Sequence, residues 1–168
     1  MRIPFIAGNW KMYKNIAQAR DFAEKFRTLY HDTDVRTAIF APLPQIPVLK
    51  ELFSGTGIGV GAQNVHFEKE GAFTGEVSVP MLKELGADYC LVGHSERRQY
   101  FGETDKTVNL KLKALIEGGI LPVVCVGENL DEREGGIEEK VVAAQTSADF
   151  NGISAEEAEK VTVAYEPV

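Results

Sequence analysis

Apolar positions along the chain gather into short runs, and amphipathic stretches lie between them. The runs Ile3–Ala7, Thr37–Ala41, Ile58–Ala62, Tyr89–Gly93, Leu121–Gly127 and Val161–Tyr165 read as strands. Several are continuous rather than alternating, the pattern of parallel strands covered on both faces. Asn15–Tyr30 instead places Ile16, Ala19, Phe22, Ala23, Phe26 and Leu29 at three- and four-residue intervals, with Arg20, Asp21, Glu24, Lys25 and Arg27 on the other face. That spacing predicts an amphipathic surface helix. Leu43–Phe53, Val79–Leu85, Asp105–Glu117, Gly136–Asp149 and Ser154–Lys160 predict further helices. Gly55, Gly86 and Gly118 follow periodic segments where a helix end accepts a left-handed residue, and Ser154 with Glu157 fits a capping box.

Strands and helices therefore alternate, which predicts an α/β protein with a parallel sheet and right-handed crossovers. No Pro-, Gly- or Ser-rich linker divides the chain, so residues 1–168 read as one domain. The sixth strand has no helix after it, giving five strand-helix units and a bare strand. An uncovered last strand is more easily explained by a missing continuation than by a finished fold. Asn64–Val77 has neither period and is long for a strand-to-helix connection, which usually takes about 2–6 residues; such loops tend to be functional.

Length sharpens this picture, since a closed eight-unit barrel needs about 250 residues and the 168 here are about two-thirds of that. The net charge of −7 opposes binding to a phosphate backbone, so nucleic acid is not the expected partner. The longest apolar run, Ile120–Val126, is too short to span a bilayer and contains Pro122. The opening segment lacks a signal-peptide core, which predicts an intracellular protein with Cys90 and Cys125 reduced and buried in strands.

Candidate chemistry lies directly after strands. Asn9 and Lys11 follow the first; a lysine there either points a fixed positive charge into a ligand crevice or is simply solvated. His94 follows the fourth, within Gly93-His94-Ser95-Glu96-Arg97-Arg98, where a polar turn or short helix begins. A helix N-terminus at that point favours a neutral ring that donates to a carbonyl oxygen, although a lone histidine can equally be structural. Glu166 ends the sixth strand, held extended by Pro167, as a general base or a solvated terminal carboxylate. A parallel sheet would bring all of these to one rim. Other features carry less. The run Gly55–Gly61 has a helix before it and strand-like alternation within it, unlike a dinucleotide loop. Cys125 has no neighbouring base and reads as structural, and Asp131–Glu134 and Glu156–Glu157 read as solvated helix faces. No spacing suggests a metal site.

In series, AGNWKMYK, GAQNVHFEKEGAFTGE, VGHSERR, VVCVGE and AYEPV resemble the triosephosphate isomerase family over essentially the whole chain. The resemblance implies an incomplete TIM (β/α)8 barrel of five βα units plus a sixth parallel strand, lacking the lid loop and the last two units. It implies interconversion of dihydroxyacetone phosphate and glyceraldehyde 3-phosphate, a step of glycolysis and gluconeogenesis, without metal or organic cofactor. Asn9 and Lys11 would hold the phosphorylated triose, His94 would be the electrophile and Glu166 the base. Glu96 matches the family's second acidic active-site residue, and Cys125 matches a position kept for packing near the base. Phe73 and Thr74 would form the tip of a dimer loop entering a second copy beside its Asn9 and Lys11. A homodimeric cytoplasmic enzyme follows as the parent, with little activity expected of these 168 residues alone. The alternative is a non-catalytic folding or association module.

Overall fold

The computed structural model describes residues 3–31 and 33–167, so Met1, Arg2, Asp32 and Val168, the last residue of the AYEPV motif, lie outside it. Six strands form one sheet in sequence order: β1 (Phe5–Asn9), β2 (Arg36–Ala41), β3 (Ile58–Ala62), β4 (Tyr89–Val92), β5 (Leu121–Val126) and β6 (Thr162–Tyr165). Every neighbouring pair is parallel. The sheet curls into an incomplete α/β barrel: the parallel α/β sheet is what the alternating pattern predicts, and the incomplete barrel is what the family resemblance implies.

Helices α1 (Ile16–Leu29), α2 (Ile46–Leu52), α3 (Val79–Glu84), α5 (Asp105–Gly118), α7 (Glu138–Asp149) and α8 (Ala155–Ala158) fall within or close to the expected spans. The segment expected as one helix from Leu43 divides into a 3₁₀ turn at Leu43–Gln45 and then α2. Pro44 and Pro47 explain the division, because neither offers an N–H to an uninterrupted ladder. Two short helices, α4 (Ser95–Phe101) and α6 (Leu130–Glu134), contain no buried residue and hence no apolar stripe that periodicity can detect. The left-handed residue after α5 is Gly119, at φ 76°, rather than Gly118, which still belongs to the helix.

One strand face packs against the helices: Val60, Val92 and Val124 meet Ile46, Leu49, Leu82, Leu112 and Leu115, all fully buried. The opposite face holds Ala38, Phe40, Tyr89, Leu91, Val123 and Cys125. Glycine alternation in β3 belongs to this inner face. A Cβ on Gly59 would sit 2.6 Å from the Tyr89 ring, and one on Gly61 would overlap the Phe40 ring. Two glycines thus make room for two large aromatics.

Coverage on both faces holds for β2 to β5 but not for the edges. Ile6 in β1 is 65% exposed and Val163 in β6 is 47% exposed. Cys90 and Cys125 are free and buried. Among the described residues, no helix is long and apolar enough to cross a membrane. The long loop after β3 is pinched at its base by an isolated bridge between His66 and Ser78 and by the His66 amide donating to the Val77 carbonyl at 2.8 Å. Phe73, near its tip, folds back onto the His66 ring with centroids 4.3 Å apart.

Candidate active site

Asn9 is the last residue of β1, paired in register with Phe40. Its side-chain oxygen accepts from the Lys11 amide at 2.9 Å. Lys11 is thereby held in a left-handed conformation, φ 53°, costly for a side chain with a Cβ. Gln63, just past β3, helps to fix it: the Gln63 amide nitrogen lies 3.1 Å from Asn9 Oδ1, 2.9 Å from the Lys11 carbonyl and 3.2 Å from the Phe40 carbonyl. The lysine ammonium then reaches Glu96 Oε1 at 2.9 Å. That hydrogen bond and the Glu96 charge raise the Lys11 pKa, and the more distant Glu166 charge adds to the effect.

His94 is placed by a glycine. Gly93 sits at φ 75°, and a Cβ there would meet the Cys125 carbonyl oxygen at 2.9 Å, so no other residue makes this turn without strain. His94 is the N-cap of α4, its Nδ1 accepting from the Glu96 amide at 3.2 Å. With Nδ1 occupied as an acceptor, the proton of a neutral ring belongs on Nε2. Nε2 points at Glu166 Oε1, 3.0 Å away.

Glu166 emerges from β6 with its amide donating to the Val126 carbonyl at 2.9 Å. Gly127 lies against the Glu166 backbone so closely that a Cβ would overlap its carbonyl. The second carboxylate oxygen accepts from the Ser95 amide at 3.2 Å. Burial pushes the Glu166 carboxyl up, but the hydrogen bonds from His94 and Ser95 outweigh it and hold the pKa below the usual glutamate value. Glu96 Oε2 is 3.7 Å from His94 Nδ1, beyond hydrogen-bonding distance, so Glu96 serves Lys11 rather than the imidazole.

Lys11, His94, Glu96 and Glu166 thus converge at the mouth of the sheet, and Lys11, His94, Ser95, Glu128 and Glu166 line one groove. Asn9 stands beside them through Lys11. Phe73 and Thr74 line neither this groove nor the adjoining pocket formed by Asn9, Lys11, Gln63 and Glu76, although Glu76 shares their loop. Among the described residues, no cluster of three His, Cys, Asp or Glu is placed to hold a metal ion.

Periodicity and motif spacing did not reveal the support behind the histidine. Glu103, nearly fully buried, accepts from the Gly93 amide at 3.0 Å and Arg97 Nε at 2.8 Å, and lies 3.2 Å from Lys111 Nζ. Lys111 also donates to Asn64 Oδ1 at 2.8 Å, tying the start of the long loop to the same cluster. Burial alone would raise the Glu103 pKa, but Lys111, the Gly93 amide and Arg97 together lower it. One sequence signal pointed here: Lys111 occupies the stripe of α5 that otherwise carries Val108, Leu112 and Leu115.

A family model described as triosephosphate isomerase matches residues 4–168. The chain belongs to the triosephosphate isomerase family. It is 52% identical to the triosephosphate isomerase of Carboxydothermus hydrogenoformans, aligned over 100% of this chain and 67% of that protein. Triosephosphate isomerases of Clostridium botulinum and Clostridium perfringens are 46% and 45% identical, with 100% of this chain and 68% of each relative aligned. The family membership fits the curled parallel sheet and the convergence of Lys11, His94 and Glu166 at its mouth.

Proposed function

We propose that the chain carries the proton-transfer machinery of triose-phosphate isomerisation, with Glu166 as base, His94 as electrophile, and Lys11 and Asn9 as substrate-holding residues. The observation that carries this reading is the 3.0 Å contact between His94 Nε2 and Glu166 Oε1. Glutamate base and neutral histidine is the pairing known for this family. The geometry adds a reason for their resting contact. While His94 and Ser95 donate to it, the Glu166 carboxylate is a weak base. When a substrate carbonyl takes the Nε2 proton donor, Glu166 loses one of the bonds that lower its pKa, and its basicity rises as the reacting carbon arrives. Glu166 then moves a proton between adjacent carbons. His94 and the Lys11 ammonium stabilise the enediolate oxygens, and Glu96 holds the ammonium in place.

These groups are open to water. The side chains of Lys11, Glu96 and Glu166 are 50%, 42% and 33% exposed. An enediolate formed among them would be accessible to solvent and to phosphate loss, so the 168 residues alone are expected to turn over little. The segment that completes the relatives would supply shielding and phosphate binding. The pocket beside Lys11 is the proposed seat for Phe73 and Thr74 of a second copy, giving a homodimer. The setting is cytoplasmic, and no nucleic acid or cofactor takes part.

A coupled dehydrogenase assay tests this, run with and without a polypeptide matching the final third of a relative. Activity only on mixing is expected. No activity in either case, with both polypeptides folded, would overturn the catalytic reading. A rate for the chain alone near that of a full-length relative would overturn the shielding argument. The exposed Ile6 and Val163 at the sheet edges favour a second reading, an association module. A concentration-independent monomer in sedimentation would remove it.

A further inference from the structure

Behind the histidine turn lies a second buried cluster that the reaction does not use. Arg98, in α4, donates from Nε to the Gly93 carbonyl at 2.8 Å. One of its terminal nitrogens pairs with Asp105, at the start of α5, and the other lies 3.2 Å from Asp149 Oδ2. Asp149 closes α7 and is completely buried, and its Oδ1 has no hydrogen-bond partner among the described residues. Its backbone carbonyl accepts from Asn109 at 2.7 Å, so the helix end is anchored independently of the carboxylate.

Gly93 is therefore gripped on both backbone groups, the amide by Glu103 and the carbonyl by Arg98. The direction of His94 depends on that turn. Two carboxylates compete for one guanidinium there. The Asp149 carboxyl is raised to about 7: burial is the largest cause, Asp105 and, more weakly, Glu103 push the same way, and Arg98 pulls against them. Asn109 of α5 donates to the Asp149 backbone carbonyl and not to its carboxylate.

We propose that Asp149 is a positioning residue for His94, acting through Arg98 and the Gly93 carbonyl. As a carboxylate it holds the guanidinium from the side opposite Asp105; as a neutral acid it accepts less strongly, and Arg98 shifts its balance toward Asp105 and Gly93. The proposal rests on the reading of His94 as the site's donor, but its consequence is visible without turnover.

The test is nuclear magnetic resonance of the isotope-labelled 168-residue chain across pH, following the Gly93 amide, the His94 ring nitrogens and the Asp149 carboxyl carbon. His94→Gln identifies the ring signals by deleting one of three histidines. The expected result is a step in the Gly93 and His94 signals with the same midpoint as the Asp149 carboxyl, near 7. In Asp149→Asn the step that shares the Asp149 midpoint is gone from the Gly93 amide signal. Asn109→Ser loosens the same helix end without touching the carboxylate and retains the step. Differing midpoints in the wild-type chain, or an unchanged step in Asp149→Asn, would overturn the proposal. The wild-type comparison stands even where a variant fails to fold. A retained step in a chain that proves inactive when completed would instead refute the isomerase reading alone.

Discussion

Lys111→Met is the sharpest perturbation available. The wild-type ammonium is 8% exposed and sits 3.2 Å from a Glu103 carboxylate that is 2% exposed. Removing it leaves that carboxylate facing only Arg97 and the Gly93 amide, in a site where burial opposes charge. Breaking one partner out of a buried pair costs about 3–5 kcal/mol, because the remaining charge stays desolvated. With a urea slope of about 2 kcal/mol per molar, the unfolding midpoint falls by about 1.5–2.5 M. The pH dependence gives an independent reading. In the wild type the folded pKa of Glu103 lies below its unfolded value. The pairing therefore stabilises the fold above the unfolded pKa and is lost as pH falls through the lower folded one. Without Lys111, burial takes over and the folded pKa rises above the unfolded one. Stability from this residue then declines as pH rises through that window. Asp149, raised in the fold, contributes a falling slope to both chains, so the difference between wild type and variant isolates Glu103. Urea titrations at several pH values from 4 to 7 supply the measurement. A midpoint shift below about 0.5 M, with parallel pH profiles, would refute the account of this cluster.

Three further outcomes follow from the same geometry. Gly93→Ala forces a Cβ at φ 75° to within 2.9 Å of the Cys125 carbonyl, and thermal unfolding should show a loss of at least about 1–2 kcal/mol. Gly61→Ala overlaps the Phe40 ring and should cost about 1–3 kcal/mol, much of it recovered in Gly61→Ala with Phe40→Leu; a purely additive double variant would count against the packing explanation. Lys11→Met breaks an ion pair whose partners are half exposed, so stability should change by less than about 1 kcal/mol while activity of the completed enzyme collapses; comparable losses in both would show that the lysine is structural.

Much of this was legible in the sequence, and the parts that were not have physical reasons. Continuous runs such as Leu121–Gly127 identified the strands because both faces of an interior parallel strand, here Leu121–Val126, are buried. The rule weakened where coverage ends: β1 starts two residues later than its apolar run and leaves Ile6 in solvent. Asn9, Lys11, His94 and Glu166 were recoverable because parallel strands all open toward one rim. The groups that aim them were not, because Gln63 and Asp149 act across separations of 54 and 51 residues, and Glu103, though only 10 residues from Gly93, belongs to no periodic pattern. Lys111, a charge on an apolar stripe, also went unread, though a helical reading of α5 carries the signal that could have found it.

The pinched base of the long loop has a consequence for how freely this protein can change. His66 and Ser78 are already held together, and Phe73 packs within the loop rather than on the sheet. The ends are thus closed whatever the residues between them do, and a doubling of loop length costs only about 0.6 kcal/mol in closure entropy. Residues 67–76 form a cassette whose sequence can drift, lengthen or be exchanged while Val77 stays packed on the core and β3 and α3 keep their places. The contact proposed for Phe73 and Thr74 with a second copy can be rewritten there without renegotiating the barrel.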